Sequence, residues 1–191
     1  MNQIKLASQS IQPSKIVCVG RNYSAHIAEL NNEHPEQMVI FNKPNSAITN
    51  TLLSSHNGDT LHYETELCFV IKNKQLAGVG IGLDLTKRAL QSSLKEKGLP
   101  WERAKAFDGS ALFSEFIELT PEMTSFIFEL QPAQILAEVN EFMGLEEGDI
   151  IMTGTPAGVG MVSAGREFKV ALYSDSGQQC LLEHHWSVNQ S

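Results

Sequence analysis

Residues 61–71 read L-H-Y-E-T-E-L-C-F-V-I, and this stretch decides the fold. Side chains two residues apart share one face of a β-strand, so Glu64 and Glu66 project to the same side. Cys68 and Val70 continue that face, and the opposite face is also apolar beyond Glu66. This pattern is typical of a strand that is covered on both sides.

The two glutamates indicate a binding site at the mouth of this strand. Two carboxylates that lie close together in a covered position repel each other and lose hydration, which predicts a positive partner. A divalent cation is one candidate, because hard oxygen ligands suit Mg²⁺, Mn²⁺ or Ca²⁺. The alternative is a strand end whose glutamates face water, which is the commoner arrangement for an isolated E-x-E.

Length and composition favour an ordinary globular protein. The 191 residues predict one domain that spans 1–191, with 42% apolar and 19% charged residues. The net charge is −8 and the 14 lysines and arginines form no basic run, which argues against a nucleic-acid partner. The three cysteines contain no C-x-x-C, and Cys18 and Cys68, inside apolar strands, are expected to be buried free thiols. Without a signal-peptide core or a membrane-length apolar stretch, we expect a cytoplasmic protein with no membrane partner.

The order of the predicted elements favours a β-rich α+β fold. Strands are expected at Lys15–Val19, Met38–Phe41, Leu61–Ile71, Ala77–Leu83, Asp149–Thr153, Glu167–Tyr173 and Cys180–Val188. Helices are expected from Thr86 to about Lys97, from Pro132 to the residue before Gly144, and from Ser24 to Leu30. Many strands with few helices, in an order unlike βαβαβ, place the chain in this class.

Two glycine-rich stretches do not predict nucleotide loops. In residues 78–82, G-V-G-I-G, the third glycine comes one position early and the stretch lies within a strand pattern, so we reject a dinucleotide site. Residues 153–160, T-G-T-P-A-G-V-G, lack the ending of a P-loop and favour a tight turn. The alternative is a loop whose Thr155 hydroxyl and backbone N–H groups bind a carboxylate.

A series of motifs, in this order along the chain, resembles the fumarylacetoacetate hydrolase superfamily. These motifs are C-V-G-R-N-Y at 18–23 with His26 and Glu29, F-N-K-P at 41–44, H-Y-E-T-E at 62–66, G-L-D-L-T at 82–86 with Arg88 and Gln91, G-L-P-W at 98–101, A-K-A-F at 104–107 and E-G-D at 147–149, followed by the glycine loop that ends at Gly160. The matches run from about Lys15 to Val162. The chain looks closest to the small single-domain acylpyruvate hydrolase and oxaloacetate decarboxylase/tautomerase branch.

The resemblance implies a twisted β-roll of mixed sheets with a few short helices, a homodimer, and one Mg²⁺ or Mn²⁺ ion. The metal ligands that it implies are Glu64, Glu66 and Asp84. The catalytic residues that it implies are the dyad His26 and Glu29, together with Lys105. The contacts to the substrate that it implies are Arg21, Arg88, Gln91 and Thr155.

Two connections are shorter than is usual in similar proteins. The chain needs only five residues between Ile71 and the next strand, where a helix is usual. Between Phe116 and Met123 it lacks a long β-hairpin. Both differences leave the matched site residues in place, but they put the usual dimer contact in doubt.

Considered alone, the individual site residues have ordinary alternatives. Asp84 precedes a predicted helix and could equally be its N-cap. Arg88 could face solvent, and Lys105 could bury only its aliphatic stem. His26 and Glu29 lie three residues apart on a predicted helix, a spacing that most often gives a solvated surface pair.

The leading functional hypothesis is an Mg²⁺- or Mn²⁺-dependent enzyme that hydrolyses a C–C bond of an acylpyruvate. A 2-oxo acid can chelate the ion through its carboxylate and C2 carbonyl, which stabilises an enolate at C3. Three carboxylates around a dication leave a charge of about −1, so an anionic substrate also needs nearby cations. Decarboxylation of oxaloacetate and keto–enol tautomerisation use the same enolate and stay open, as does a non-catalytic metal-binding homologue.

Overall fold

The computed structural model describes residues 1–20, 22, 38–120, 123, 132–156, 158–174 and 177–190. The strands in these ranges are β1 (Ile4–Leu6), β2 (Gln9–Ile11), β3 (Lys15–Gly20), β4 (Val39–Pro44), β5 (Leu52–Leu53), β6 (Ser55–His56), β7 (Asp59–Thr60), β8 (His62–Lys72), β9 (Gln75–Asp84), β10 (Ala111–Phe113), β11 (Ile117–Glu118), β12 (Ile150–Met152), β13 (Val159–Met161), β14 (Glu167–Tyr173) and β15 (Cys180–Asn189). The helices are α1 (Arg88–Glu96), α2 (Glu102–Lys105) and α3 (Pro132–Phe142), with a 3₁₀ turn at Asn45–Ala47. The β-rich mixed-sheet fold predicted from the sequence is confirmed.

The predicted central strand is confirmed as β8, which lies inside an eight-stranded sheet. The strand order is β10-β9-β8-β12-β3-β4, with β11 also on β9 and β13 also on β8. Among the described strands of this sheet, the β12–β3 pair alone is parallel. Because β8 has neighbours on both edges and layers on both faces, its side chains from residue 67 to residue 71 are almost all buried.

One edge of β8 is shared by two short strands that leave a gap at the glutamates. The last part of β8 pairs with β12, in the register Cys68 opposite Met152. The first part pairs with β13, in the register Glu64 opposite Val159. The residues between β12 and β13 therefore form a loop opposite Glu66, where no regular ladder occupies the edge.

Apolar layers cover the central sheet on both faces. Helix α3 packs Ile135 and Val139 against one face. A three-stranded sheet, β14-β15-β5, covers the β9 side, with Trp186 in the apolar cluster. Strand β14, predicted at Glu167–Tyr173, alternates exposed residues with half-buried or buried ones and is therefore half-exposed. Cys18 and Cys68 are buried free thiols, as expected.

The glycines at 78, 80 and 82 serve close packing inside β9 and form no phosphate loop. A Cβ atom on Gly82 would lie only 2.6 Å from the Cys68 Sγ atom. The short β8–β9 connection uses left-handed backbone at Asn73 and Lys74, with φ angles of 51° and 60°. That is the twist that a tight hairpin turn requires. Rejection of a dinucleotide site is therefore consistent with the fold.

One helix begins later than expected, because α1 starts at Arg88 rather than Thr86. The predicted helix Ser24–Leu30 lies outside the described residues.

Among the helices that the structure describes, none is both long and apolar enough to cross a membrane.

Candidate metal and substrate site

Three buried carboxylates come together where β8 and β9 run side by side. One ligand atom from each of Glu64, Glu66 and Asp84 lies within 4.8 Å of the others. Glu66 is opposite Gly82 in the antiparallel register, so Asp84 ends β9 beside Glu64. The three residues are only 7%, 4% and 1% exposed. The alternative in which the two glutamates face water is therefore wrong.

Asp84 does not cap the helix that follows it. Helix α1 begins four residues later, its N-cap is Lys87, and no side chain makes the cap hydrogen bond. The N-cap alternative is therefore wrong, and the Asp84 carboxylate is directed at the cluster instead.

Lys105 places its ammonium group among these carboxylates. Helix α2 and the bend before it bring the side chain inward, where it is 2% exposed. Its Nζ atom donates to Glu64 Oε2 at 2.8 Å, to Asp84 Oδ2 at 2.7 Å and to Thr86 Oγ1 at 2.6 Å. The charged head itself is therefore buried, and the alternative in which only the stem is buried is wrong.

Arg88 and Gln91 close another side of the cluster from the first turn of α1. Arg88 Nη2 forms an ion pair with Glu64 Oε1. Arg88 Nη1 donates to Gln91 Oε1 at 2.7 Å, and Gln91 is buried. The solvent-facing alternative for Arg88 is wrong, because its guanidinium spans a carboxylate and a buried amide.

Glu66 is held by the loop between β12 and β13. The Gly154 backbone N–H donates to Oε2 at 2.9 Å, and the Thr155 hydroxyl donates to Oε1 at 3.1 Å. Among the described residues no cation forms an ion pair with Glu66. The loop therefore does bind a carboxylate, as the alternative interpretation expected, but this carboxylate belongs to Glu66 of the protein itself. The contact of Thr155 with a substrate stays a prediction.

The buried charges shift each other's pKa in different directions. Burial alone would raise the pKa of Glu64, but Lys105 and Arg88 outweigh it and lower that pKa to about 2. Burial, followed by repulsion from Asp84 and Glu64, raises the pKa of Glu66 well above its usual value. Burial would lower the pKa of Lys105, yet Asp84 and Glu64 raise it above the usual lysine value. Glu64 and Lys105 are therefore a charged pair, whereas Glu66 has no counter-ion in the part of the chain that the structure describes.

The sequence interpretation missed a second buried lysine. Lys43 in β4 has its Nζ atom 2.9 Å from Asp84 Oδ1. Lys43, Lys105 and Arg88 together supply three positive charges. Three carboxylates with a dication would carry a net charge of about −1, and the three cations change that net charge to about +2. F-N-K-P contained a partial signal: a lysine that continues an apolar strand needs a charged partner once it is buried, but the motif does not identify that partner.

The donor set fits a divalent metal ion. Three carboxylates present hard oxygen atoms, which Mg²⁺ and Mn²⁺ prefer. Asp84 Oδ1 is buried and accepts no hydrogen bond from the described residues. Lys43 Nζ lies 2.9 Å away, but its hydrogen bonds go to Lys105 and Ser110. That oxygen keeps its lone pairs available. Glu64, Glu66 and Asp84 are therefore the residues that would hold such an ion.

The model of the family described as fumarylacetoacetate (FAA) hydrolase C-terminal matches residues 15–131 and 127–185. The chain belongs to the fumarylacetoacetate hydrolase family. Curated relatives agree with this family assignment. The chain is 36% identical to oxaloacetate tautomerase YcgM of Escherichia coli, over 82% of this chain and 87% of that protein. It is 33% identical to human mitochondrial oxaloacetate tautomerase FAHD1, over 83% of this chain and 86% of that protein.

Solved structures of the fumarylacetoacetate hydrolase family have the same architecture. A fumarylacetoacetate isomerase/hydrolase-type protein from Oleispira antarctica superposes with a TM-score of 0.87, at 33% identity, over 98% of this chain and all of that chain. Fumarylpyruvate hydrolase from Pseudomonas aeruginosa, solved with Mn²⁺ and pyruvate, gives 0.84 at 26% identity, over 100% of this chain and 96% of that chain. The chain is thus an enzyme of the hydrolase, isomerase or decarboxylase type. This disfavours the non-catalytic alternative.

Three predicted site residues of this family member, Arg21, His26 and Glu29, lie outside the described residues. Asn22 is buried, and its Nδ2 atom donates to the Thr153 carbonyl at 2.7 Å. Thr153 directly precedes the loop that holds Glu66. The roles of the three residues stay predictions.

Proposed function

We propose that this protein is a divalent-metal-dependent enzyme that stabilises the enolate of a small 2-oxo acid, with keto–enol tautomerisation of oxaloacetate as its first candidate reaction. The observation that supports it most directly is the buried cluster of three carboxylates beside Lys105 and Arg88. Named tautomerases among the relatives support the choice of oxaloacetate. A bound Mg²⁺ or Mn²⁺ would supply Lewis-acid polarisation of the substrate carbonyl.

The protein's own groups supply binding and electrostatics. Arg88 offers a planar pair of donors suited to a carboxylate, and Gln91 fixes its orientation. Lys105 is a buried positive charge that would stabilise negative charge developing on the substrate oxygen. The burial of the cluster strengthens both effects, because it excludes water and lowers the local dielectric.

Proton transfer is assigned to His26, with Glu29 as its hydrogen-bond partner. A carboxylate beside the imidazole fixes its tautomer and makes it a better base. In tautomerisation His26 would remove the C3 proton, and in hydrolysis it would activate a water molecule toward the distal carbonyl. This assignment rests on the family resemblance.

Hydrolysis of a fumarylpyruvate-type substrate is the second candidate. It is favoured by the structural likeness to fumarylpyruvate hydrolase over almost the whole of both chains. Both reactions place an enolate at the same position, so the cluster supports both.

The test is to measure tautomerisation and decarboxylation of oxaloacetate and hydrolysis of fumarylpyruvate with Mn²⁺, Mg²⁺ and excess chelator. We expect metal-dependent tautomerisation to be the fastest of the three. A matched pair of variants, Glu66→Gln and Glu118→Gln, separates the cluster from an exposed carboxylate on β11. Full activity in chelator, or in Glu66→Gln, would contradict the proposal.

His26→Ala separates the reactions from one another. It should abolish most tautomerisation and hydrolysis, which need a base, and spare much of the decarboxylation, which needs only the stabilised enolate. Equal loss of all three activities would refute this division of roles.

A further inference from the structure

Lys43 and Asp149 are the two charged side chains with no exposed surface in the described part of the chain, and the proposed chemistry gives Lys43 no task. Its relative exposure is 0%. Burial of an unpaired ammonium group is strongly unfavourable, so each of its contacts has to compensate for lost hydration. The contacts of its Nζ atom therefore show what the residue does.

The ammonium protons of Lys43 are used by the segment that carries Lys105. Lys43 Nζ donates to the Lys105 backbone carbonyl. It also donates to the Ser110 backbone carbonyl at 3.1 Å and to the Ser110 hydroxyl at 3.1 Å. Three acceptors for three N–H groups fix the head of the side chain, so Lys43 cannot swing toward a ligand.

The charge of Lys43 nevertheless lies against the cluster. Its Nζ atom is 2.9 Å from Asp84 Oδ1, which accepts no hydrogen bond. The ammonium group thus neutralises Asp84 electrostatically and leaves the lone pairs of that oxygen free. Lys105 and Arg88 differ, because both donate hydrogen bonds directly to the carboxylates.

We propose that Lys43 is a positioning residue that acts as a fixed counter-charge, making the cluster weaker for a cation and stronger for an anion. This rests on the proposed function. With three positive and three negative groups the described part of the site is neutral, and a bound dication would make it positive. An anionic 2-oxo acid would be attracted to that excess charge. Lys43 differs from Lys105 and Arg88 because its hydrogen bonds go to Lys105 and Ser110 and not to the carboxylates.

The proposal predicts changes of opposite sign in two equilibria. Lys43→Met removes the charge and keeps the length of the side chain. We expect Mn²⁺ to bind about tenfold more tightly, because one neighbouring charge typically shifts an ionic equilibrium by a factor of that order. Pyruvate should bind to the Mn²⁺-loaded protein about tenfold more weakly for the same reason. Free Mn²⁺ is counted by electron paramagnetic resonance, and pyruvate is followed by its effect on the spectrum of bound Mn²⁺.

The controls distinguish the effect of the Lys43 charge at the site from the effect of the net charge of the protein and from a loss of folding. Lys169→Gln removes an exposed lysine on β14 and should leave both dissociation constants unchanged. Lys43→Gln removes the charge but keeps an amide that can donate to Ser110, and it carries the same expectation as Lys43→Met. Thermal unfolding of each variant checks that the comparison is between folded proteins.

Weakening of both equilibria together would overturn the proposal, because it is the result expected for a purely structural lysine. So would failure of both neutral variants to fold, since Lys43 would then be required for the fold. If the unchanged protein binds no Mn²⁺, the proposed function itself fails and the proposal fails with it. That outcome is recognised before any variant is made.

Discussion

At the scale of single residues, Glu66 is the carboxylate on which the proposed metal ion would depend most. Lys105 and Arg88 bind Glu64, and Lys43 and Lys105 lie against Asp84. Among the described residues, the hydrogen-bond partners of Glu66 are the neutral donors of Gly154 and Thr155. A buried carboxylate without a cation is unfavourable until one arrives. Glu66 therefore gains more from a dication than its neighbours do.

Glu66→Gln should weaken Mn²⁺ binding by at least about 100-fold, since the loss of an outer-shell partner alone commonly weakens it by roughly 10–100-fold. The dissociation constant is measured by electron paramagnetic resonance. Glu118→Gln, an exposed carboxylate of the same sheet, should bind as the unchanged protein does. An unchanged constant for Glu66→Gln would remove this residue from the site.

Asp149 is a structural residue within the E-G-D motif. It is buried and accepts hydrogen bonds from Ser14, Lys15 and the Glu146 backbone. Burial would raise its pKa, but these donors, with Lys15 foremost, lower it below the usual 3.8. A carboxylate with a depressed pKa stabilises the fold above the unfolded-state pKa, and that stability is lost as pH falls through the folded-state pKa.

Asp149→Asn should lower the free energy of unfolding by about 2 kcal/mol at pH 7, the usual contribution of hydrogen bonds to a charged group. The difference from the unchanged protein should shrink as pH falls below about 4. Urea unfolding at several pH values measures it, and Asp108→Asn, an exposed aspartate, serves as the control. A difference that is independent of pH would contradict the assignment of charge to Asp149.

At the scale of elements, the close approach of β8 and β9 places the carboxylates. Gly82 lies opposite Glu66 in the register, and a Cβ atom there would meet Cys68 Sγ at 2.6 Å and the Phe113 ring at 3.0 Å. Overfilling of a packed core usually costs about 1–3 kcal/mol. The absence of a side chain at Gly82 therefore allows β8 and β9 to pack closely beside Glu66.

Gly82→Ala should lower the free energy of unfolding by about 2 kcal/mol and weaken Mn²⁺ binding, because it pushes β8 from β9 at Glu66. Gly144→Ala is the matched control, since a Cβ there has nothing within 4 Å. It should change stability by less than about 0.5 kcal/mol. Denaturant midpoints and Mn²⁺ titration measure both, and equal behaviour of the two variants would contradict the packing explanation.

The sequence predicted the long elements well and the short ones poorly. The alternation within β8 and the apolar spacing of α3 are local patterns, so both were located to within about two residues. The missed strands are β1, β2, β5, β6, β7, β10, β11 and β13. Each is two or three residues long, which is too short for a period of two to be recognised. Strands β5, β10, β11 and β13 are also defined by partners distant in sequence, as in the Ala111–Asp84 pairing.

At the scale of the whole molecule, the site combines residues from distant parts of the chain. The two-residue repeat of a β-strand was sufficient to place Glu64 and Glu66 on the same face. Asp84 and Lys105 were connected to them only through the family resemblance. Lys43 was not recognised, because its partners lie at positions 84, 105 and 110 and the sequence gives no sign of that proximity. A homodimer and a cytoplasmic location stay predictions.

The balanced charges predict that the fold does not require the metal. Excess chelator should leave the protein folded, because Lys43, Lys105 and Arg88 already compensate the carboxylates. Mn²⁺ at about 100 times its dissociation constant should raise the unfolding midpoint by about 5–10 °C. Scanning calorimetry measures both, with Glu66→Gln as the control that should show little rise. Unfolding by chelator would contradict the charge balance.

Diffraction from crystals soaked in Mn²⁺, recorded at the manganese absorption edge, tests the metal site most directly. We predict a single anomalous peak with one carboxylate oxygen each from Glu64, Glu66 and Asp84 at about 2.2 Å. An absence of any peak among these three side chains, with Lys105 still bonded to Glu64 and Asp84 at saturating Mn²⁺, would contradict the proposed metal centre.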